Sequence, residues 1–198
     1  MKKIFLVSVL FVAVVSLVSF KKNVAQPNIS SSQNDSLLYE GEKHFANMQQ
    51  LTFGGDNAEA YFSFDGKYIV FQKTSVKDGV PCDQIFVGKV PAPGEKFEYK
   101  RVSNGKGRTT CGAFLKDGKH VVFASTHLDA DNCPPTPDRA KYGNKYIWPL
   151  YSSYDIFVAD LDGNIVKQLT NSKGYDAEAT ISPDGKQIAY LQNANLQV

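Results

Sequence analysis

Six polar or reactive side chains stand at matching distances before three Asp-Gly pairs, either six or eight residues ahead of each aspartate. They are Asn57, Glu59, Thr109, Cys111, Asp176 and Glu178. Because side chains alternate along a strand, two positions two residues apart are expected to share one face. Oxygen ligands there would suit a cation, a basic peptide or a polar ligand. Hydrogen bonds to neighbouring turns and water would use the same groups, and the sequence leaves both interpretations open.

The Asp-Gly pairs themselves recur in a repeated strand-turn-strand pattern. They begin at Asp65, Asp117 and Asp184, and apolar segments (YIVF, HVVF, QIAY) follow each Gly-Lys. Gly accepts positive φ and Asp bonds nearby backbone, so this pattern predicts hairpin turns. Three copies on three separate units cannot converge on one substrate, which favours a structural role over a catalytic one. The spacings of 52 and 67 residues indicate a period near 50 with one insertion, as in propeller blades.

The segment LTNSKGYDAEATISPDGKQIAY resembles the PD40, or TolB-type, β-propeller repeat, and the similarity runs from about residue 50 to 190. GRTTCGAFLKDGKHVVFASTH and DIFVADLDGNIVKQLT resemble a group of exported bacterial TolB-like proteins. The resemblance implies an all-β fold of about three blades, the last incomplete. It also implies that the strand before each Asp-Gly turn is innermost and lines a central channel. Asn57, Glu59, Cys111, Asp176 and Glu178 would then form a ligand or partner site near one mouth of that channel.

The N-terminal residues have the layout of an export signal. Two lysines precede the uncharged run at residues 4–20, and Lys21 and Lys22 follow it. The run also reaches the lower limit for a membrane-spanning helix, so a cleaved signal and an uncleaved anchor both remain open. We predict a signal or anchor at 1–22, a linker at 23–47 and the partial propeller at 48–198. Export would place the chain in the periplasm or cell envelope, with any membrane tether confined to residues 4–20.

Charge and motifs narrow the functional classes. Removing residues 1–25 takes away four lysines and no acids, so the formal charge falls from +2 to −2, which argues against nucleic acid as a partner. The sequence has no Gly-x-Ser-x-Gly, His-Glu-x-x-His or phosphate-binding loop. We predict no catalytic residue, cofactor or metal site.

The resemblance implies a non-enzymatic module that binds other envelope proteins or peptides. One alternative is the propeller portion of a prolyl-oligopeptidase-type peptidase whose hydrolase domain is missing. Another alternative is a propeller polysaccharide lyase, which would need a metal in the channel. The sequence alone does not identify the partner or ligand.

The three cysteines allow one disulfide and one free thiol in an exported chain. Sequence does not choose among the pairings of Cys82, Cys111 and Cys133; we favour Cys82 with Cys133, expecting both in loops. A zinc site that uses His127 and Cys133 lacks the paired spacing of structural zinc sites. His44 and His120 are expected to have no acid-base partner nearby in sequence.

An insertion at about residues 126–154 holds the single tryptophan, four tyrosines and four prolines. Its aromatic residues Tyr146, Trp148 and Tyr151 suit a partner-binding surface on a proline-stiffened loop. They would equally suit a small satellite core beneath that loop. Both interpretations remain open at this point.

The third repeat contains about two strands, whereas the earlier repeats encode four. Open blade faces and edges normally need a covering partner. We therefore expect either a product shorter than its full reading frame or self-association through the open blade edges.

Overall fold

The computed structural model describes residues 37–193, which form two units, 37–48 and 49–193. Residues 37–48 contain no strand, and a turn there is closed by the Glu42 amide donating to the Tyr39 carbonyl at 3.0 Å. The signal or anchor predicted at residues 1–22 lies outside the described residues. Between residues 37 and 193, no helix combines the length and the hydropathy required to span a bilayer.

Antiparallel strands make up most of the regular secondary structure of residues 49–193. The strands are β1 (Asp56–Phe62), β2 (Tyr68–Ser75), β3 (Val80–Lys89), β4 (Tyr99–Arg101), β5 (Thr109–Phe114), β6 (His120–Ser125), β7 (Asp155–Asp160), β8 (Ile165–Gln168), β9 (Tyr175–Ile181) and β10 (Ile188–Asn193). Short 3-10 helices span Val76–Asp78 and Arg139–Tyr142.

These strands form two four-stranded sheets, β1-β2-β3-β4 (blade one) and β5-β6-β7-β8 (blade two). Within the described residues, β9 and β10 form a third, two-stranded sheet. Each four-stranded sheet is a meander of consecutive antiparallel strands, as propeller blades are. The predicted fold class, all-β with propeller-type blades, is confirmed.

The Asp-Gly pairs form the hairpin turns that enter β2, β6 and β10. Each aspartate accepts a hydrogen bond from the amide two residues later, at 3.1 Å for Lys67, 2.8 Å for Lys119 and 3.0 Å for Lys186. The glycines adopt φ of 66° to 76°, which only glycine enters without steric cost. The turn role predicted for the aspartates is therefore observed. His120 was expected to have no acid-base partner nearby in sequence. That expectation is wrong, because its Nδ1 lies 2.6 Å from Asp117 Oδ2 across the same turn.

Blade two is buried on both faces. Val121 and Phe123 of β6 belong to one core with Val70 and Ile85 of blade one. On the opposite face, residues of β6 and β7 pack against Ala177 and Ala179 of β9. Strand alternation explains why the run HVVFAS is almost continuously apolar, since both sets of side chains are buried. Blade one has a further aromatic core on its other face, centred on Phe71, Phe86 and Phe97.

The predicted insertion is the segment that connects β6 to β7. Blade one joins its equivalent strands, β2 and β3, by residues 76–79 alone, whereas blade two uses residues 126–154. A disulfide joins Cys82 to Cys133 in the insertion, which is the pairing favoured from the sequence. The expected loop location of Cys82 is wrong, since it lies on β3. The disulfide therefore ties the insertion to blade one.

We expect replacement of Cys82 and Cys133 by serine to lower the free energy of unfolding by roughly 4 kcal/mol. The bond closes a loop with a sequence separation of 51 residues, and cross-linking a long loop restricts the unfolded chain most. Urea denaturation followed by circular dichroism measures the change. A reducing agent should bring the native chain to the stability of the double variant and leave that variant unchanged. Equal denaturation midpoints for the oxidised and reduced native chain would contradict the assignment.

Candidate functional site

The strands that precede the Asp-Gly turns, β1, β5 and β9, each carry a β-bulge at the same place before the turn. The register with the neighbouring strand shifts between Ala58 and Tyr61, between Thr110 and Ala113, and beside Ala177. Glu59, Cys111 and Glu178, all six residues before an aspartate, occupy these bulges with φ of 51°, 55° and 58°. Bulges of this kind re-aim side chains. The repeated geometry therefore sets the direction of three candidate residues together.

The residue after each bulge position is small, which explains how the strand can bulge and still pack. Gly112 follows Cys111, and an added Cβ there would lie 3.0 Å from an Ile85 methyl and 3.1 Å from a Val70 methyl. Ala179 follows Glu178 and is buried in the core between β9 and blade two. At these two bulges the bulged residue differs in burial, Cys111 being buried and Glu178 exposed, while the next backbone position approaches the neighbouring blade closely in both.

A pocket of about 150 Å³, here called the inner pocket, lies between the three bulges. It is lined by Glu59, Tyr61, Cys111, Ala113, Glu178, Ala179 and Thr180. These are mainly the residues six and four positions before each aspartate. Between the bulge and the Asp-Gly turn, side chains two residues apart therefore face the same side, as in a regular strand. Tyr61 was missed from the sequence, although the same two-residue spacing applied towards the turn would have identified it.

The residues eight positions before each aspartate are not among the pocket lining. Asn57 donates to the Gly54 carbonyl at 3.2 Å, and Thr109 donates to the Asp83 carbonyl at 3.2 Å. Asp176 is fully buried and accepts from the Ser172 hydroxyl at 3.0 Å. The expectation that both positions share one face with the six-residue position fails because the bulge interrupts regular alternation between them.

Hydrogen bonds order the polar groups of the inner pocket. The Cys111 thiol donates to Glu178 Oε2 at 3.1 Å, and the Tyr175 hydroxyl donates to Glu178 Oε1 at 3.0 Å. On the first blade, the Tyr61 hydroxyl donates to Glu59 Oε2 at 2.5 Å. Each carboxylate is thus oriented by a donor and keeps further acceptor capacity.

Negative charge dominates the electrostatics of the inner pocket. The hydrogen bond to Glu59, with burial and the nearby acidic groups, raises the pKa of Tyr61 to about 12. Burial, together with the Glu178 and Glu59 carboxylates, raises the pKa of the Cys111 thiol to about 12. Burial also raises the pKa of Tyr175. Among residues 37–193, neither Glu59 nor Glu178 makes an ion pair with a cationic side chain.

The insertion reaches the inner pocket through one hydrogen-bonded chain. Trp148 Nε1 donates to the Tyr175 hydroxyl at 3.3 Å, and Tyr175 contacts Glu178. The Tyr151 hydroxyl donates to the Pro135 carbonyl at 2.6 Å, and Tyr151 packs beside Tyr154. Tyr146, in contrast, is 70% exposed. Trp148 and Tyr151 therefore fold inward as a satellite core would, while Tyr146 lies on the outer surface.

The described part of the chain contains no group of three His, Cys, Asp or Glu side chains arranged to hold a metal ion. Cys133 is committed to the disulfide, and the His127 ring packs on Phe157 with centroids 4.2 Å apart. Cys133 is therefore bonded to Cys82, whereas His127 contacts Phe157.

Comparisons with known proteins give a partial resemblance. No protein-family model matches the chain. The Tol-Pal system protein TolB of Francisella tularensis is 34% identical over 73 residues, which are 36% of this chain and 16% of that protein. A solved structure from Agrobacterium tumefaciens, assigned as a TolB, gives a TM-score of 0.45 at 22% identity, over 72% of this chain and 46% of that one. The chain thus spans less than half the length of either protein.

At the bulges, glycine is expected to be more stabilising than alanine, the reverse of the usual order in a strand. We expect Glu178→Gly to exceed Glu178→Ala by about 1 kcal/mol in free energy of unfolding, because only glycine adopts positive φ without strain. Thr180 on the same strand is the control, where alanine should exceed glycine by about 0.5–1 kcal/mol. Urea denaturation of the four variants measures both differences, and the same order at the two positions would contradict the bulge.

Alkylation of Cys111 by iodoacetamide should be at least about a hundredfold slower at pH 8 in the folded chain than in the urea-unfolded chain. The thiolate is the reactive form, and the raised thiol pKa leaves little of it at that pH. The rate should continue to rise with pH towards 12. Since Cys82 and Cys133 are paired, mass spectrometry of the non-reduced chain isolates this thiol. A rate that reaches its plateau below pH 10 would contradict the burial of the thiol.

Proposed function

We propose that this chain is a non-enzymatic, exported interaction module of the bacterial cell envelope, with TolB-like propeller blades. We further propose that its inner pocket binds a basic side chain from another envelope protein or peptide. The partial match to a Tol-Pal system protein and the export layout of residues 1–25 support the cellular setting.

The observation that carries this proposal is the convergence of three equivalent bulge positions on the inner pocket. Glu59 and Glu178 bring two carboxylates from different blades to a space of about 150 Å³. In the described residues, no lysine, arginine or histidine is paired with either. An ammonium or guanidinium group would supply the missing opposite charge and hydrogen-bond donors.

The size of the inner pocket favours a side chain over a complete small molecule. Typical small-molecule sites have volumes of roughly 300–1,000 Å³, which is larger than this space. A single protruding lysine or arginine requires only room for its end group, while the rest of the partner contacts the surrounding surface. The small volume therefore favours a protein or peptide as the partner. A metabolite would leave most of its surface outside the inner pocket.

Chemical properties of the pocket favour binding over nucleophilic catalysis. A catalytic cysteine is normally activated by a lowered pKa and a neighbouring base. Cys111 has the opposite property, since burial raises its pKa to about 12 and its thiol donates to Glu178. The thiol therefore acts as a hydrogen-bond donor that orients a carboxylate.

The test uses a fluorescent twelve-residue peptide of alternating arginine and serine, titrated into the full chain. We expect the variant Glu59→Gln with Glu178→Gln to bind about tenfold more weakly, because charge-assisted hydrogen bonds to the partner are lost. Added salt should weaken binding to the native chain more than binding to the variant.

The matched control replaces two exposed glutamates of blade one, Glu95→Gln with Glu98→Gln, and so removes the same charge away from the inner pocket. This control should bind the arginine peptide like the native chain. An equal loss in both variants, or no loss in the pocket variant, would overturn the proposal that the inner pocket recognises a basic group.

A further inference from the structure

The outer end of the insertion, residues 138–146, forms a second surface, here called the insertion tip. All nine of its residues are exposed. Asp138 begins the tip by accepting a hydrogen bond from the Ala140 amide at 3.0 Å, and the 3-10 helix Arg139–Tyr142 follows. The Asn144 amide then donates to the Arg139 carbonyl at 2.9 Å and closes the turn. The tip therefore has a defined backbone shape although it buries little surface.

Anchors on both sides hold the base of the insertion. On one side the disulfide fixes Cys133, and the Asp131 carbonyl accepts from the Gly107 amide at 3.0 Å. On the other side Trp148 and Tyr151 make the inward hydrogen bonds already described. Ordering the insertion in this way lowers the conformational entropy that a partner would otherwise have to remove.

The insertion tip carries an excess of positive charge. Arg139, Lys141 and Lys145 are all exposed, and in the described residues none of them makes an ion pair. The nearest acid in sequence, Asp138, uses one carboxylate oxygen to cap the 3-10 helix. The Arg139 guanidinium lies 5.3 Å from the centre of the Tyr146 ring, so a cation and an aromatic ring form one continuous patch.

Two tyrosines complete the surface, with Tyr142 55% exposed and Tyr146 70% exposed. Tyrosine and arginine are among the residue types most enriched in the strongest contacts of protein interfaces. We propose that the insertion tip is a docking surface for an acidic, carboxylate-rich segment of a partner protein. Charge complementarity with Arg139, Lys141 and Lys145 identifies the class of partner.

An anionic membrane is a less suitable partner on the same observations. Membrane-surface segments combine larger basic clusters with exposed Trp, Phe or Leu side chains that enter the bilayer interface. Here the corresponding apolar side chains, Ile147, Trp148 and Leu150, are half-buried behind the tip. The exposed rings are those of tyrosine, which retain a hydroxyl for hydrogen bonds to a protein partner.

The surface is separate from the inner pocket and selects the opposite charge, so this inference does not rest on the proposed function.

The experiment titrates a fluorescent twelve-residue peptide of alternating glutamate and serine into the full chain at low ionic strength. Serine is chosen because it adds no apolar side chain that could bind exposed blade faces. We expect the variant R139Q/K141Q/K145Q to bind about tenfold more weakly and Y142A/Y146A to bind about threefold more weakly.

The matched control K77Q/K119Q/K167Q removes the same number of exposed positive charges from the blades. It should bind the glutamate peptide within twofold of the native chain, as should the Glu59→Gln, Glu178→Gln variant. Equal losses in the tip and control variants would overturn the proposal, as would an unchanged affinity in the tip variant. Sedimentation with vesicles of phosphatidylglycerol and phosphatidylcholine tests whether the insertion tip binds an anionic membrane instead. Vesicle binding that requires the tip cations, without peptide binding, would also overturn it in favour of a membrane.

Discussion

On strand β6, Val121 and Phe123 pack against blade one, while Val122 and Ala124 pack towards β9. This two-sided burial is the constraint on which the other features depend. Fully burying a side chain such as valine or phenylalanine contributes about 1.5–3 kcal/mol relative to leaving it exposed. When a sheet is covered on both faces, the neighbouring sheets must approach it closely.

Close approach explains the residues that surround the inner pocket. Gly112 leaves no room for a side chain against Ile85 and Val70, and the bulge in front of it removes Cys111 from the same contact surface. Packing and site geometry therefore have one origin, since the bulge beside the crowded Gly112 also directs the buried Cys111 side chain into the inner pocket. The left-handed φ at Glu59 and Glu178 is the energetic cost of that arrangement.

The sequence predicted features that depend on local backbone chemistry. Asp65 and Gly66 specify a turn wherever they occur between apolar strands, so the hairpins, the meander order and the insertion limits could be predicted. The burial contrast between Asp176 and Glu178 could not, because a bulge depends on how the next blade packs and leaves the residue count unchanged. Turn chemistry at Asp117 should have revealed its contact with His120. The division of the insertion into an inward Trp148 and an outward Tyr146 likewise depends on tertiary contacts with Tyr175.

Trp148 is the single tryptophan of the chain, and its indole N–H bonds to the hydroxyl that contacts Glu178. A cation that engages the Glu178 carboxylate competes with Tyr175 for its oxygen atoms and so alters the acceptor of the indole. If the proposed binding occurs, fluorescence emission of the unmodified chain would respond to a cation at Glu178, although Trp148 does not line the inner pocket. Such a coupling would be reciprocal, so a change in the packing of the insertion around the indole would alter cation affinity at Glu178 by the same factor.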